Sequence, residues 1–251
     1  MSLCADCVIG VRHEGTPEGT FQDISGVQCY VATPSGTSKE GRVILYLTDI
    51  FGPTFVNHQL LADDFARNGY RVVIPDILNG DPVPTDAPLS TGEFDLTSWL
   101  SRHGQETVWP VIAKILSHYK YSGIRKVAAV GFCFGARTAI DLAFQNMVSV
   151  CVASQPSLWK VPDDLQRYLA EAKAPLLINC AETDNMFPKE AQEKADEILG
   201  GGKYTPGYER TYWEGCTHGF AVRGDISDPR VKAGKEGVFK ASVEFLNKYW
   251  V

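Results

Sequence analysis

The chain has 251 residues, of which 44% are apolar and 22% charged, with a formal net charge of −6. That is enough apolar material for one large core. The acidic balance and the absence of a Lys/Arg cluster argue against a nucleic-acid partner and against docking on an anionic membrane. No run approaches the roughly 18 apolar residues of a membrane span. The opening M-S-L-C-A-D-C-V-I-G has neither a basic region nor a long apolar stretch, so no secretion signal is expected. Seven cysteines, an odd number, then fit reduced thiols and a cytoplasmic setting.

In chain order, short β-branched runs alternate with longer segments of helical period. Strands are predicted at 27–33, 43–48, 71–75, 126–131, 148–154, 175–180 and 208–213. Helices are predicted at 57–68, 105–119, 136–145, 163–172, 188–199 and 228–249. V-I-L-Y-L and V-A-A-V-G are nearly continuously apolar, as strands buried on both faces are. With no repeat, low-complexity tract or linker, 1–251 reads as one domain. The expected architecture is α/β, a mostly parallel central sheet with helices on both faces and right-handed crossovers. The least regular stretch, 78–98, is rich in Pro, Asp and Gly and reads as a surface excursion able to cover a cleft.

The stretch that carries chemistry is K-V-A-A-V-G-F-C-F-G-A-R-T-A-I. A buried strand runs into Gly131, Phe132, Cys133, Phe134 and Gly135, and a helix follows. This is the strand–turn–helix nucleophile elbow of α/β-hydrolases, G-x-S-x-G, with sulfur in place of oxygen. The glycines let strand and helix approach closely, and the helix N-terminus favours a thiolate. Alone, the five-residue pattern is weak, and most free cysteines are simply small buried apolar residues. The strand before it and the helix after it strengthen the case.

A nucleophile needs a base and an orienting acid, which in this fold follow it in the order acid, histidine. Among five histidines only His218 follows the elbow, in W-E-G-C-T-H-G-F. After P-L-L-I-N-C the chain offers Glu182 and Asp184. Asp184, further out on the turn before Pro188, is preferred, with Glu182 in reserve. The oxyanion hole needs two backbone N–H groups, assigned to Phe134 and to Ile50 in the loop T-D-I-F-G-P.

With these residues placed, the chain resembles the dienelactone hydrolase (carboxymethylenebutenolidase) family. The marks are T-D-I-F-G, G-F-C-F-G-A, A-E-T-D and T-H-G-F, correctly ordered over nearly the whole chain. The resemblance implies the α/β-hydrolase fold, a triad of Cys133, Asp184 and His218, no cofactor, no metal and a small ester or lactone substrate. It also implies a carboxylate on the oxyanion loop that takes part in activating the thiol when substrate arrives. Here that position is Asp49, one methylene shorter than the glutamate of the bacterial archetypes. Of two arginines that hold a substrate carboxylate in those archetypes, Arg223 is the candidate for one, and D-I-L-N-G-D offers no second. A dicarboxylate dienelactone is therefore not the expected substrate; a different ester, lactone or thioester is. Phe51, Phe55, Phe132, Phe134, Trp159 and Phe220 are candidates to line an apolar pocket. Monomer and homodimer both remain open.

Two other classes compete. A non-catalytic scaffold of the same fold would lack a triad member, and none is lacking. A redox protein could use Cys4 and Cys7 of C-A-D-C, but outside any βαβ context; a zinc site there would need His13 and one more ligand.

Overall fold

The computed structural model describes residues 11–36, 38–89 and 93–250. Cys4 and Cys7, and the terminal segment that bears them, lie outside the described residues. The strands are β1 (Thr20–Asp23), β2 (Gln28–Ala32), β3 (Arg42–Leu47), β4 (Arg71–Pro75), β5 (Lys126–Phe132), β6 (Val150–Ser154), β7 (Leu176–Thr183) and β8 (Tyr208–Thr217). They form one sheet in the order β1-β2-β4-β3-β5-β6-β7-β8. The β1–β2 and β2–β4 pairs are antiparallel. The pairs from β4 through β3 and on to β8 are parallel.

The helices are α1 (Val56–Arg67), α2 (Leu96–Arg102), α3 (Gln105–Tyr121), α4 (Phe134–Phe144), α5 (Asp163–Glu171), α6 (Lys189–Leu199), α7 (Phe220–Arg223) and α8 (Pro229–Tyr249). Alternation along β3 divides them between two faces. Val43, Leu45 and Leu47 join a core with Val108 and Ile112 of α3, Leu142 of α4, Leu165 of α5 and Ala195 of α6. Ile44 and Tyr46 join a second core with Leu61 and Phe65 of α1 and Val238 and Phe245 of α8. A sheet buried on both sides needs apolar residues at every position, which explains the unbroken apolar runs of β3 and β5.

Several elements depart from the sequence expectation. β1 is T-F-Q-D, exposed throughout, and is held only by pairing with β2. With no buried face it has no period to read. The stretch 78–98 is not wholly a surface excursion: Leu78 and Val83 are buried. Val83 N–H donates to the Ile50 carbonyl at 2.9 Å, tying this segment to the loop after β3. Its end forms α2, capped by Asp95, whose carboxylate accepts from Ser98 N–H, and it buries Trp99. β7 and β8 run on to Thr183 and Thr217, past the expected ends. No described helix is long and apolar enough to cross a membrane. Among the described residues no His, Cys, Asp and Glu cluster is arranged to hold a metal ion. His13, a ligand of the zinc alternative, instead hydrogen-bonds Glu236 at 2.8 Å.

Candidate active site

The site grows from three strand ends. At the first, β5 stops at Phe132 and α4 starts at Phe134, leaving Cys133 alone to turn the chain. Its backbone sits at φ 47°, ψ −109°, a left-handed conformation in a non-glycine residue. Such strain, of order 1–3 kcal/mol, persists only where the surroundings enforce it. The two glycines make the turn possible by absence of a side chain. A Cβ on Gly131 would lie 2.6 Å from the Gly135 carbonyl oxygen, and one on Gly135 would collide with the Leu47 carbonyl of β3. Cys133 is thus the N-cap of an 11-residue helix whose positive end faces the sulfur.

The other two ends come from β7 and β8. A bulge between Ala181 and Thr183 restores pairing at Thr183↔Thr217, and His218 N–H donates to the Thr183 carbonyl at 3.1 Å. The next residues on the two strands, Asp184 and His218, are therefore neighbours. His218 Nδ1 lies 2.9 Å from Asp184 Oδ1, and His218 Nε2 lies 3.0 Å from Cys133 Sγ. The buried Asp184 carboxylate also accepts from the N–H groups of Met186 at 2.8 Å and Phe187 at 3.1 Å, which fixes its direction. Burial works against a charged His218, but the hydrogen bonds to Asp184 and Cys133 outweigh it and push its pKa up to about 10. Glu182 serves elsewhere: exposed, it accepts from Gly215 N–H at 2.7 Å across β7 and β8.

Phe134 N–H, at the start of α4, and Ile50 N–H, in the loop after β3, have no acceptor among the described residues. β3 and β5 are neighbours paired up to Leu47↔Gly131, so both loops rise from the same sheet edge. An N–H pair of this kind is what a developing oxyanion requires.

Among the described residues Asp49 makes no hydrogen bond to Cys133. Its carboxylate is 1% exposed and is taken by His58 Nε2 at 2.8 Å, Arg223 Nε at 3.1 Å and Phe51 N–H at 3.0 Å. Behind it, His58 Nδ1 hydrogen-bonds the buried Tyr46 hydroxyl at 2.8 Å. Burial opposes the Asp49 charge, yet His58, Arg223 and the Phe51 N–H hold its pKa below the ordinary carboxylate value. The same contacts bear on Arg223, whose Nε is committed to Asp49 and whose guanidinium lies 4.8 Å from the Phe51 ring centre.

The aromatic candidates divide. Phe55 is half-buried, 5.6 Å from Phe51 and 5.9 Å from His58. Phe134 packs edge-on to Trp99, 5.6 Å away. Trp159 is nearly buried, donates to the Ala136 carbonyl at 3.1 Å and abuts Phe187, so it braces α4. Phe132 is buried and stacks on Tyr46 in the core. Phe220 is 1% exposed within the core of the α8 face, against Gly234, and is a packing residue rather than a pocket wall.

Sequence reasoning did not single out the loop after β6. There Ser157, 4% exposed, brings its Oγ to 3.6 Å from Cys133 Sγ. Gln155 beside it is buried, and neither amide atom has a partner among the described residues; the same holds for Thr48 Oγ1 at the end of β3. The available signal was position: polar residues directly after a central parallel strand lie at the edge where such sheets gather their ligands.

An elbow cysteine, an acid and a histidine in that chain order on this strand order fit an α/β-hydrolase. A sequence model of the dienelactone hydrolase family matches residues 27–250, and the chain belongs to that family. It is 36% identical to hydrolase tropI of Talaromyces stipitatus over 97% of this chain and 95% of that protein. It is 26% identical to the human carboxymethylenebutenolidase homolog over 97% of this chain and 96% of the other. The dienelactone hydrolase structure from Anabaena variabilis superposes with a TM-score of 0.63 at 14% identity, covering 92% of this chain and 96% of that one, a likeness of fold.

Proposed function

We propose that the protein hydrolyses a small ester, lactone or thioester through a covalent thioacyl intermediate on Cys133, without a cofactor. The unbroken chain from Cys133 Sγ to His218 Nε2 at 3.0 Å and from His218 Nδ1 to Asp184 Oδ1 at 2.9 Å carries this reading. The thiolate attacks the carbonyl carbon and a C–S bond forms. The carbonyl oxygen, now charged, accepts from the N–H groups of Phe134 and Ile50; one such donor is typically worth about 3 kcal/mol. The intermediate collapses, the C–O bond breaks, and the His218 imidazolium gives its proton to the leaving oxygen. Neutral His218, oriented by Asp184, then takes a proton from water as the water attacks the thioester. The C–S bond breaks and the thiolate–imidazolium pair returns. Amides are poor substrates for this cycle, because sulfur leaves the tetrahedral intermediate more readily than nitrogen.

Arg223 bears on the substrate class. One of its donors is given to a buried carboxylate, so the Asp49–Arg223 pair is close to neutral and offers little net charge to an anionic substrate. This favours esters or lactones without two carboxylates. The test is turnover of p-nitrophenyl acetate and simple lactones by the wild type and by Cys133→Ala. The variant should lose turnover while its unfolding free energy stays within about 1 kcal/mol. Iodoacetamide should inactivate the wild type with modification at Cys133. Undiminished hydrolysis by Cys133→Ala would refute the mechanism.

A further inference from the structure

The loop after β6 carries an arrangement that the reaction cycle above does not use. β6 and β5 are in register at Ser154↔Phe132, so Gln155 and Cys133 are adjacent at the sheet edge. Two backbone bonds join them: Cys133 N–H donates to the Ser154 carbonyl at 3.0 Å, and Ser157 N–H donates to the Cys133 carbonyl at 3.3 Å. Two non-glycine residues bracket Ser157 in left-handed conformations, Gln155 at φ 44° and Leu158 at φ 63°. Strain of this kind is retained where it serves a constellation. Here it delivers a buried hydroxyl, and the only hydrogen-bond partner of Ser157 Oγ among the described residues is the Cys133 sulfur.

We propose that Ser157 is a positioning residue whose hydroxyl donates to the resting Cys133 thiolate, giving the sulfur a second polar contact besides His218. The inference rests on Cys133 being the nucleophile. A thiolate is a strong acceptor and a thioester sulfur a weak one. The bond is therefore present in the resting enzyme, lost on acylation, and remade as the sulfur leaves during deacylation. The Ser157 hydroxyl keeps its proton throughout; it steadies negative charge on sulfur at the two points in the cycle where that charge exists.

The test follows the rate of Cys133 alkylation by iodoacetamide, read by mass spectrometry from pH 5 to 9. Wild type, Ser157→Ala, Ser157→Gly and Ser157→Thr are compared. Loss of the hydroxyl should raise the pH of half-maximal alkylation by about 0.5 to 1 unit, a three- to tenfold slower reaction on the acid side. Ser157→Thr should restore the wild-type profile. Ser157→Gly, which removes the same hydroxyl by another route, should match Ser157→Ala, so one poorly folding variant does not end the experiment. Superimposable profiles in the wild type and the hydroxyl-free variants would overturn the proposal, whatever happened to thermal stability. The readout is separate from hydrolysis. A hydroxyl-dependent profile in a protein that cleaves no ester sustains the Ser157 assignment and removes the hydrolase reading.

Discussion

At the scale of single residues, the decisive quantity is the charge on His218. Its pKa, pushed up to about 10 against the effect of burial, means that the imidazolium prevails at neutral pH and is lost only as pH rises through about 10. A cation 3.0 Å from sulfur favours the thiolate. Alkylation of Cys133 at pH 7 should therefore be about tenfold or more slower in His218→Ala than in the wild type. Stopped-flow alkylation of both proteins checks this; equal rates would contradict the ion pair.

Asp49 belongs to the same scale. Removing it leaves Arg223 and the buried His58 without their shared acceptor. Asp49→Ala should cost about 3 kcal/mol, the usual result of breaking a buried pair from one side. The sign with pH follows from its lowered pKa. The stabilisation is complete above the unfolded carboxylate value, about 3.9, and is lost progressively as pH falls from there through the lower folded value. Urea unfolding at pH 7 and pH 3 should show a smaller gap between wild type and variant at the second pH than at the first. The sequence supplied the position of Asp49 but not its partners, because His58 and Tyr46 come from α1 and β3 and only the packing of those elements brings them together.

At the scale of elements, the elbow was readable because every part of it is local. Gly131, Cys133 and Gly135 lie within five residues, and the strand and helix that flank them have strong periods. The acid and the histidine were readable as chain order only. Their meeting depends on the β7–β8 extension past the bulge, and β8 is half-buried over its first four residues with Cys216 its only fully buried residue, a weak apolar signal. β1 and α2 were missed for the same reason, weak local pattern stabilised by tertiary contact. A test at this scale is Gly135→Ala. The added methyl would meet the carbonyls of Leu47 and Thr48, so α4 must move away from β3. We expect a loss of about 2 to 3 kcal/mol in chemical denaturation. Turnover should fall as well, since the shift moves Phe134 N–H relative to Ile50 N–H.

At the scale of the whole molecule, one central sheet with a helix layer on each face was legible from alternation and buried-strand composition, because both features express the burial of a sheet on two sides. Contacts that bind distant parts of the chain through buried charge were not. Arg12 reaches across to α1: its Nε donates to Asp64 Oδ1 at 2.8 Å and its backbone N–H to Asp64 Oδ2 at 2.6 Å. Asp63 next to it accepts from the Tyr30 hydroxyl of β2 at 2.7 Å and from Glu18 N–H at 2.7 Å. The segment before β1, the antiparallel edge and α1 are thus joined at two buried carboxylates. For Asp64, burial outweighs the Arg12 and Arg67 contacts, and its pKa is raised. A raised carboxylate opposes folding when ionised, and that opposition is relieved as pH falls through the raised value. Removing Arg12 strips away the main compensation, so Arg12→Ala should cost roughly 2 to 4 kcal/mol at pH 7.5. At pH 5, where Asp64 can more readily take a proton, the deficit should be smaller. Urea midpoints for wild type and variant at both values measure this, and an equal deficit at pH 5 and 7.5 would mean that Arg12 holds the segment by packing rather than by neutralising Asp64.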